Sequence, residues 1–167
     1  PFGTYEESPE QAFANTQHIM EGTGCDAVKL EGGRDRADII AHLVENNMPI
    51  MAHIGLLPQE CTEGYHVQGK GDSERKRLLD DAHAVRDAGA FACVIEATQP
   101  SVAREITQSI DIPTIGIGAS RACDGQILVS EDMLGMTQGK LPRFVKCYSN
   151  VSETIQEAVA HYCADVH

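Results

Sequence analysis

Short apolar runs and helical patterns alternate along the chain, and this alternation constrains the fold more than any other feature. Each apolar run has the length of a strand, and a stretch with helical spacing of its apolar residues separates most of the runs. This order is typical of a parallel α/β sheet or barrel, whose strands are covered by helices and read as nearly continuous apolar segments. The five predicted strands lie at 26–33, 48–56, 90–97, 112–120 and 125–132.

The predicted helices carry recognisable start signals. Ser8 is a candidate N-cap, and Gln11, three residues later, completes a capping box. For the third helix, the predicted cap is Asp72 or Ser73. The helices are predicted over 8–24, 34–47, 72–89 and 100–110, and from about residue 149 towards the end.

The charge balance of the chain argues against two classes of partner. Asp plus Glu number 25 against 13 Lys plus Arg, which gives a formal net charge of −12. Nucleic acids and anionic membranes attract basic surfaces, so we predict that neither is a partner.

The six cysteines are scattered without a short-spaced pair, which favours reduced thiols over a disulfide framework or a zinc site. No apolar stretch is long enough to span a membrane, and we predict a cytoplasmic location. The length of 167 residues favours one domain, which we predict over residues 1–167.

Ionisable residues interrupt three successive apolar runs near their ends. Lys29 and Glu31 close the first predicted strand. His53 lies near the end of the second, and Glu96 lies near the end of the third. Active sites of α/β folds lie at the carboxyl ends of the strands, and residues two apart on a strand point to one face. We therefore predict a functional site that contains these four residues.

Three of these residues also have a purely structural interpretation, whereas Glu96 is harder to explain in that way. Lys29 and Glu31 fit equally well an ion pair that only stabilises the sheet. A single histidine in an apolar strand, such as His53, is more often hydrogen-bonded in a core than functional. Glu96 follows four apolar residues and has no cation nearby in the sequence, and this placement suits a general base.

Several short motifs, taken in order, resemble the ketopantoate hydroxymethyltransferase family of pantothenate biosynthesis. The similarity extends over essentially the whole chain and lies in PFGTY, VKLEGG, AHIGLLPQ, YHVQGKG, DGQILV and PRFVK. The resemblance implies a (βα)₈ TIM barrel of the phosphoenolpyruvate mutase/isocitrate lyase type, of which this chain covers about the last five strands. It also implies a homo-oligomer, usually a decamer built from two pentameric rings.

The resemblance further implies an activity and a role for each of the four residues. The family transfers a hydroxymethyl group from 5,10-methylenetetrahydrofolate to 3-methyl-2-oxobutanoate, giving ketopantoate, with Mg²⁺ as cofactor. On this basis Lys29 binds the oxo acid and Glu31 is a carboxylate of the Mg²⁺ site. His53 lies near the product hydroxyl as a substrate-binding residue, and Glu96 is the catalytic proton acceptor. Further metal ligands are expected on three strands upstream of this chain.

Two other functions stay open at this point. One is another Mg²⁺-dependent 2-oxo-acid lyase of the superfamily, although Cys61 lacks a recognisable motif like that of the lid cysteine in such enzymes. The other is a truncated, non-catalytic homologue or partner subunit, because five strands alone leave two unpaired sheet edges. The segment EATQP (96–100) departs from the Glu-x-x-Pro that is more common in the family, and it keeps Glu96 in place.

Overall fold

The protein is described by a computed structural model over residues 1–62 and 64–166. The chain forms two compact units, one of residues 1–126 and one of residues 127–167. Within the described residues, no helix is both long and apolar enough to cross a membrane. The assignment of the chain to one domain stays a prediction.

The first unit is built on a five-stranded parallel sheet whose spatial order follows the chain. Doubly wound sheets reverse their strand order at a switch point, whereas a (βα)₈ barrel places each new strand beside the preceding one. The uninterrupted order is that of a barrel segment and agrees with the fold predicted from the sequence. The strands are β1 (Val28–Glu31), β2 (Ile50–Gly55), β3 (Ala92–Glu96), β4 (Thr114–Ile117) and β5 (Gly125–Gln126).

Helices occupy most of the connections between strands, as the alternating pattern predicted. A 3₁₀ turn at Arg34–Arg36 opens the second predicted helix, and the last two helices of the chain belong to the second unit. The helices are α1 (Pro9–Thr23), α2 (Ala37–Glu45), α3 (Asp72–Asp87), α4 (Pro100–Ser109), α5 (Ser130–Met133) and α6 (Val151–Asp165).

One face of the sheet packs against helices and forms the apolar core of the first unit. Leu30, Ile54 and Ile95 lie on this face and are almost fully buried. They belong to one cluster with Leu43 of α2 and Leu78 of α3. Burying each such side chain contributes roughly 1.5–3 kcal/mol. Because strand residues alternate between faces, the residues between them point to the opposite side of the sheet.

The start of α3 differs from the prediction. The helix begins at Asp72 with Gly71 as its N-cap, so neither Asp72 nor Ser73 is the cap. The carboxylate of Glu74 instead accepts hydrogen bonds from two backbone N–H groups that precede the helix. These two bonds hold the pKa of the Glu74 carboxyl below its usual value. The acidic side chain therefore stabilises the turn that leads into the helix.

The last strand is much shorter than predicted. Only Gly125–Gln126 pair with β4, and Ser130–Met133 form a helical turn inside the range 125–132 that was predicted as strand. A strand is held by hydrogen bonds to its neighbours, and among the described residues β5 has a neighbour on one side only. Ile127 and Val129 alternate as in a strand, but both are exposed. Apolar alternation without a partner is not sufficient to extend the strand.

The first helix forms where the sequence predicted it. The Ser8 hydroxyl accepts a hydrogen bond from the N–H of Gln11 at 3.1 Å. The Gln11 side chain accepts the N–H of Glu7 rather than that of Ser8, so only half of the capping box forms. The helix is closed by Gly24, whose φ of 70° is left-handed and whose N–H donates to the carbonyl of Met20.

Two glycines near the end of α1 should respond oppositely to replacement by alanine. Gly24→Ala should lower the free energy of unfolding by roughly 1 kcal/mol, because a side chain is strained in the left-handed region. Gly22→Ala should raise it by about 0.5–1 kcal/mol, because Gly22 lies in the helix with open space at its β-carbon position. Urea unfolding of both variants measures the difference. Equal losses of the free energy of unfolding in the two variants would contradict the assignment of Gly24 as a left-handed C-cap.

Candidate active site

The register of the first three strands brings the four predicted residues to one face of the sheet. Glu31 of β1 lies opposite His53 of β2, and Gly55, two residues further on, lies opposite Glu96 of β3. Paired residues of parallel strands project to the same side, which here is the side away from the helix-packed core. Lys29 precedes Glu31 by two residues and shares this side. The carboxyl ends of β1 to β3 therefore gather all four ionisable groups.

Lys29 and Glu31 meet the imidazole of His53 from the neighbouring strand. Nζ of Lys29 lies 3.0 Å from Nδ1 of His53 and 4.0 Å from Oε1 of Glu31. The same Oε1 lies 3.9 Å from Nδ1 of His53. The Glu31 and His53 side chains are only 6% and 3% exposed, whereas that of Lys29 is 45% exposed. Lys29 therefore contacts the two buried side chains and is itself the most exposed of the three.

The contact with Lys29 decides how the His53 ring is protonated. An ammonium group donates hydrogen bonds and accepts none, so Nδ1 is the acceptor and the ring proton lies on Nε2. Nε2 lies 3.2 Å from Oε2 of Glu96, but the angle is outside hydrogen-bond geometry. Among the described residues, buried Nε2 has no hydrogen-bond partner. Buried polar atoms are normally paired, so this N–H is a donor that the described residues leave without a hydrogen bond in this arrangement.

Two residues outside the predicted set hold Glu31 in place. The N–H of Gln59, in the loop after β2, donates to Oε2 of Glu31 at 3.2 Å. The hydroxyl of Tyr5 donates to the main-chain carbonyl of Glu31 at 3.1 Å. Both residues lie inside the family motifs AHIGLLPQ and PFGTY, but nothing in those motifs identifies a contact with Glu31. The side chain and the backbone of this glutamate are thus fixed by separate parts of the chain.

The chemistry of the donor set limits what these residues can hold. Mg²⁺ prefers hard oxygen ligands, and it commonly uses one or two carboxylates together with substrate oxygens and water. Oε1 of Glu31 meets the requirement for one such ligand. Within residues 1–62 and 64–166, no group of three or more His, Cys, Asp or Glu side chains is arranged to hold a metal ion. A magnesium site here therefore needs oxygen ligands beyond those of the described residues.

A cavity of about 310 Å³ lies next to the site. It opens beside the end of β2 and contains Gly55, Glu60, Arg77 and Asp81 in its lining. None of the four predicted site residues is among its lining residues. Nη1 of Arg77 is 3.2 Å from Oδ2 of Asp81, so the charges of these two lining residues are paired with each other. This cavity is therefore separate from the ionisable cluster.

The fold has a counterpart among solved structures. A protein from Burkholderia cenocepacia J2315, provisionally named a phosphonomutase, superposes with a TM-score of 0.51 over 68% of this chain and 50% of its own. The sequence identity is 18%, so this likeness bears on the fold alone. Together with the sequential parallel sheet, it defines the chain as part of a (βα)₈ barrel.

Sequence comparisons then define the family within this class. The chain belongs to the ketopantoate hydroxymethyltransferase family, whose sequence model matches residues 1–167. It is 51% identical, over an alignment 168 positions long, to the 3-methyl-2-oxobutanoate hydroxymethyltransferases of Brucella canis and Rhizobium etli. The alignments cover 99% of this chain and 61% and 62% of those proteins, respectively. The chain thus spans about three fifths of the length of these relatives.

The buried phenol of Tyr5 gives the fold a dependence on alkaline pH. Burial, reinforced by the carboxylates of Glu6, Glu31 and Glu60, raises the pKa of Tyr5 from 10.0 to about 12. The unfolded chain releases this proton first, so the contribution to the free energy of unfolding is complete below pH 10 and is lost towards pH 12. Its size is of order 2 kcal/mol.

Unfolding followed between pH 9 and pH 12 should show this loss in the native sequence. Tyr5→Phe keeps the ring and removes the ionisable hydroxyl, so the variant should lack this component. An unchanged alkaline profile in Tyr5→Phe would contradict the assignment to Tyr5.

Proposed function

We propose that this chain carries part of the active site of a 3-methyl-2-oxobutanoate hydroxymethyltransferase. The reaction removes a proton from C3 of the oxo acid and joins the resulting enolate to the one-carbon unit of 5,10-methylenetetrahydrofolate. Family membership supports the reaction class. The observation that carries the proposal is the placement of Glu96 on the same face as Lys29 and Glu31, beside a buried imidazole N–H that has no hydrogen-bond partner among the described residues.

In this proposal Lys29 binds the oxo acid. Its ammonium group is the exposed end of the cluster, and it carries the charge opposite to that of the substrate carboxylate. A hydrogen bond between an ammonium and a carboxylate is about twice as strong as one between neutral groups. Lys29 also lies 4.0 Å from Glu31 and reduces the repulsion between this carboxylate and an anionic substrate.

Glu96 acts as the base, and His53 supplies a hydrogen bond next to it. A carboxylate takes a proton from carbon efficiently only when it is held close to that carbon. The side chain of Glu96 is 20% exposed, so it is shielded from water and still open on one side. Nε2 of His53 has no hydrogen-bond partner among the described residues, and in this proposal its proton donates to a substrate or product oxygen, the role near the product hydroxyl that the resemblance implies.

Mg²⁺ fits this proposal with Glu31 as one of its ligands. Bound there, Mg²⁺ would act as a Lewis acid that polarises the substrate carbonyl and makes the C3 proton easier to remove. Oε2 of Glu31 is held by the N–H of Gln59, which leaves Oε1 on the side of Lys29 and His53. The remaining ligands come from the substrate, from water and from aspartates expected upstream.

One alternative keeps the fold and removes the activity. The chain spans 61% of the length of its Brucella canis relative, and β1 and β5 each have one neighbour in the described sheet. These observations also fit a non-catalytic subunit that completes its barrel with another chain. Exchange of the C3 proton by the full-length protein separates the two functions. A lyase of the same superfamily has less support, because Cys61 donates its thiol proton to the carbonyl of Gly64 and no family motif surrounds it.

The assembly and the location of the protein follow from the resemblance alone. The proposal includes a cytoplasmic homo-oligomer, with a decamer as the expected size, that binds small-molecule substrates and no nucleic acid or membrane. The net charge of −12 supports the exclusion of nucleic acid and anionic lipid.

Replacing the proposed base should remove the first chemical step. In the full-length protein with Mg²⁺, Glu96→Gln should slow proton–deuterium exchange at C3 of 3-methyl-2-oxobutanoate by at least about 10²-fold. Binding of the oxo acid, measured by calorimetry, should persist because the amide keeps the shape of the side chain. Glu105→Gln, at a partly exposed glutamate of α4 that is paired with Arg75, is the matched control and should exchange at the wild-type rate. Retained exchange in Glu96→Gln would assign the base to another residue.

Removing the proposed substrate cation should affect binding first. Lys29→Ala should raise the dissociation constant of the oxo acid by roughly 10- to 100-fold, which corresponds to one hydrogen bond between charged groups. Lys76→Ala on the surface of α3 removes the same charge away from the site and serves as the control. Calorimetric titration of both variants measures the effect. An unchanged affinity in Lys29→Ala would exclude the lysine from the substrate site.

A further inference from the structure

The backbone immediately after Glu96 adopts a conformation that is uncommon for its residue type. Ala97 has a φ of +44°, in the left-handed region that residues with a β-carbon rarely occupy. Its N–H donates to the carbonyl of Ile117 at 2.9 Å, and its own carbonyl accepts the N–H of Gln68 at 2.8 Å. Such conformations persist only where surrounding contacts fix them, and they are concentrated at functional sites. The chain therefore turns sharply at the end of β3.

The carbonyl oxygen of Glu96 accepts two hydrogen bonds that stabilise this turn. It accepts one hydrogen bond from the N–H of Leu56 and a second from the hydroxyl of Thr98, each at 3.0 Å. Gly55 permits this approach, because a β-carbon there would lie 2.3 Å from the Glu96 carbonyl oxygen. The φ of Gly55 is +95°, which also requires glycine. The residue that follows β2 and the side chain of Thr98, two residues after the end of β3, thus donate to the same carbonyl oxygen.

We propose that Thr98 is a positioning residue that fixes the side chain of Glu96 through the Glu96 carbonyl. Thr98 is completely buried and lies in the segment EATQP, whose function the family resemblance leaves unassigned. Its hydroxyl and the Leu56 N–H together fix the plane of the peptide group between Glu96 and Ala97. Together with the pairing of β3, that plane sets the direction in which the Cα–Cβ bond of Glu96 leaves the backbone, and the side chain that starts there ends with Oε2 3.2 Å from Nε2 of His53. This inference rests on the proposed role of Glu96 as the base.

A buried threonine at the other end of the sheet provides a matched control. Thr114, the first residue of β4, is also completely buried, and its hydroxyl donates to Asp124 at 3.0 Å. Replacing either residue by valine removes a buried hydroxyl while keeping the shape of the side chain. Both variants should therefore lose stability, but only Thr98→Val changes a group bonded to the backbone of the proposed base.

The test measures C3 exchange in the full-length protein with Mg²⁺. At saturating oxo acid, Thr98→Val should slow the exchange rate roughly tenfold, since small displacements of a catalytic group have large effects. The oxo-acid concentration at half-maximal rate should stay within about twofold of wild type, because Thr98 does not contact the binding lysine. Thr98→Ser restores the hydroxyl and should recover most of the rate. Thr114→Val should exchange as fast as wild type once its folded fraction is taken into account.

The outcomes separate this inference from the proposed function. No exchange in the wild-type protein would overturn the function itself. Wild-type exchange with an undiminished rate in Thr98→Val would overturn the positioning role and leave the function standing. Should Thr98→Val not fold, Thr98→Ser and Thr98→Cys replace it, because a thiol is a weak donor. Equal rates in these two variants would then contradict the proposal, and a slower cysteine variant would support it.

Discussion

The site depends on the pairing register of β1, β2 and β3. In this register Glu31 lies opposite His53, and Glu96 lies opposite Gly55. Because side chains alternate between the faces of a strand, a shift of β2 by one residue would turn His53 into the apolar core and Ile54 out of it. The burial of Ile54 and Ile95 against the helices therefore also fixes the positions of the ionisable groups.

His53 lowers the energetic penalty of placing charges on an otherwise apolar sheet. Its ring is nearly fully buried and lies within 4 Å of groups from both neighbouring strands. A buried charge is unfavourable unless it is paired or hydrogen-bonded. Lys29 donates to Nδ1 of this ring and lies 4.0 Å from the Glu31 carboxylate, whereas the Nε2 side facing Glu96 has no hydrogen-bond partner among the described residues. The described residues thus bond the ring on its Lys29 side and leave its Nε2 side without a hydrogen bond.

The long loop that follows β2 contacts the surroundings of both carboxylates. Near its start, Gln59 donates to the side chain of Glu31. Near its end, Gln68 pairs with the main chain of Ala97 and Gln99, directly after Glu96. Substitutions in this loop are therefore expected to change the orientation of both carboxylates, even when the sequences of β1 and β3 stay the same. Its length is consistent with a functional role, since long loops in compact α/β domains commonly carry function.

The sequence by itself determined the alternation of strands and helices, the N-cap of α1 and the presence of four ionisable residues at three strand ends. These features depend on local spacing and on the chemistry of single residues, which a sequence displays directly. Only the tertiary structure decided that His53 contacts both neighbouring strands, that β5 stops at Gln126 and that Gly71 precedes α3. It alone also revealed the bond from Thr98 to Glu96. Such features follow from strand register and backbone dihedral angles, which depend on residues far apart in the chain.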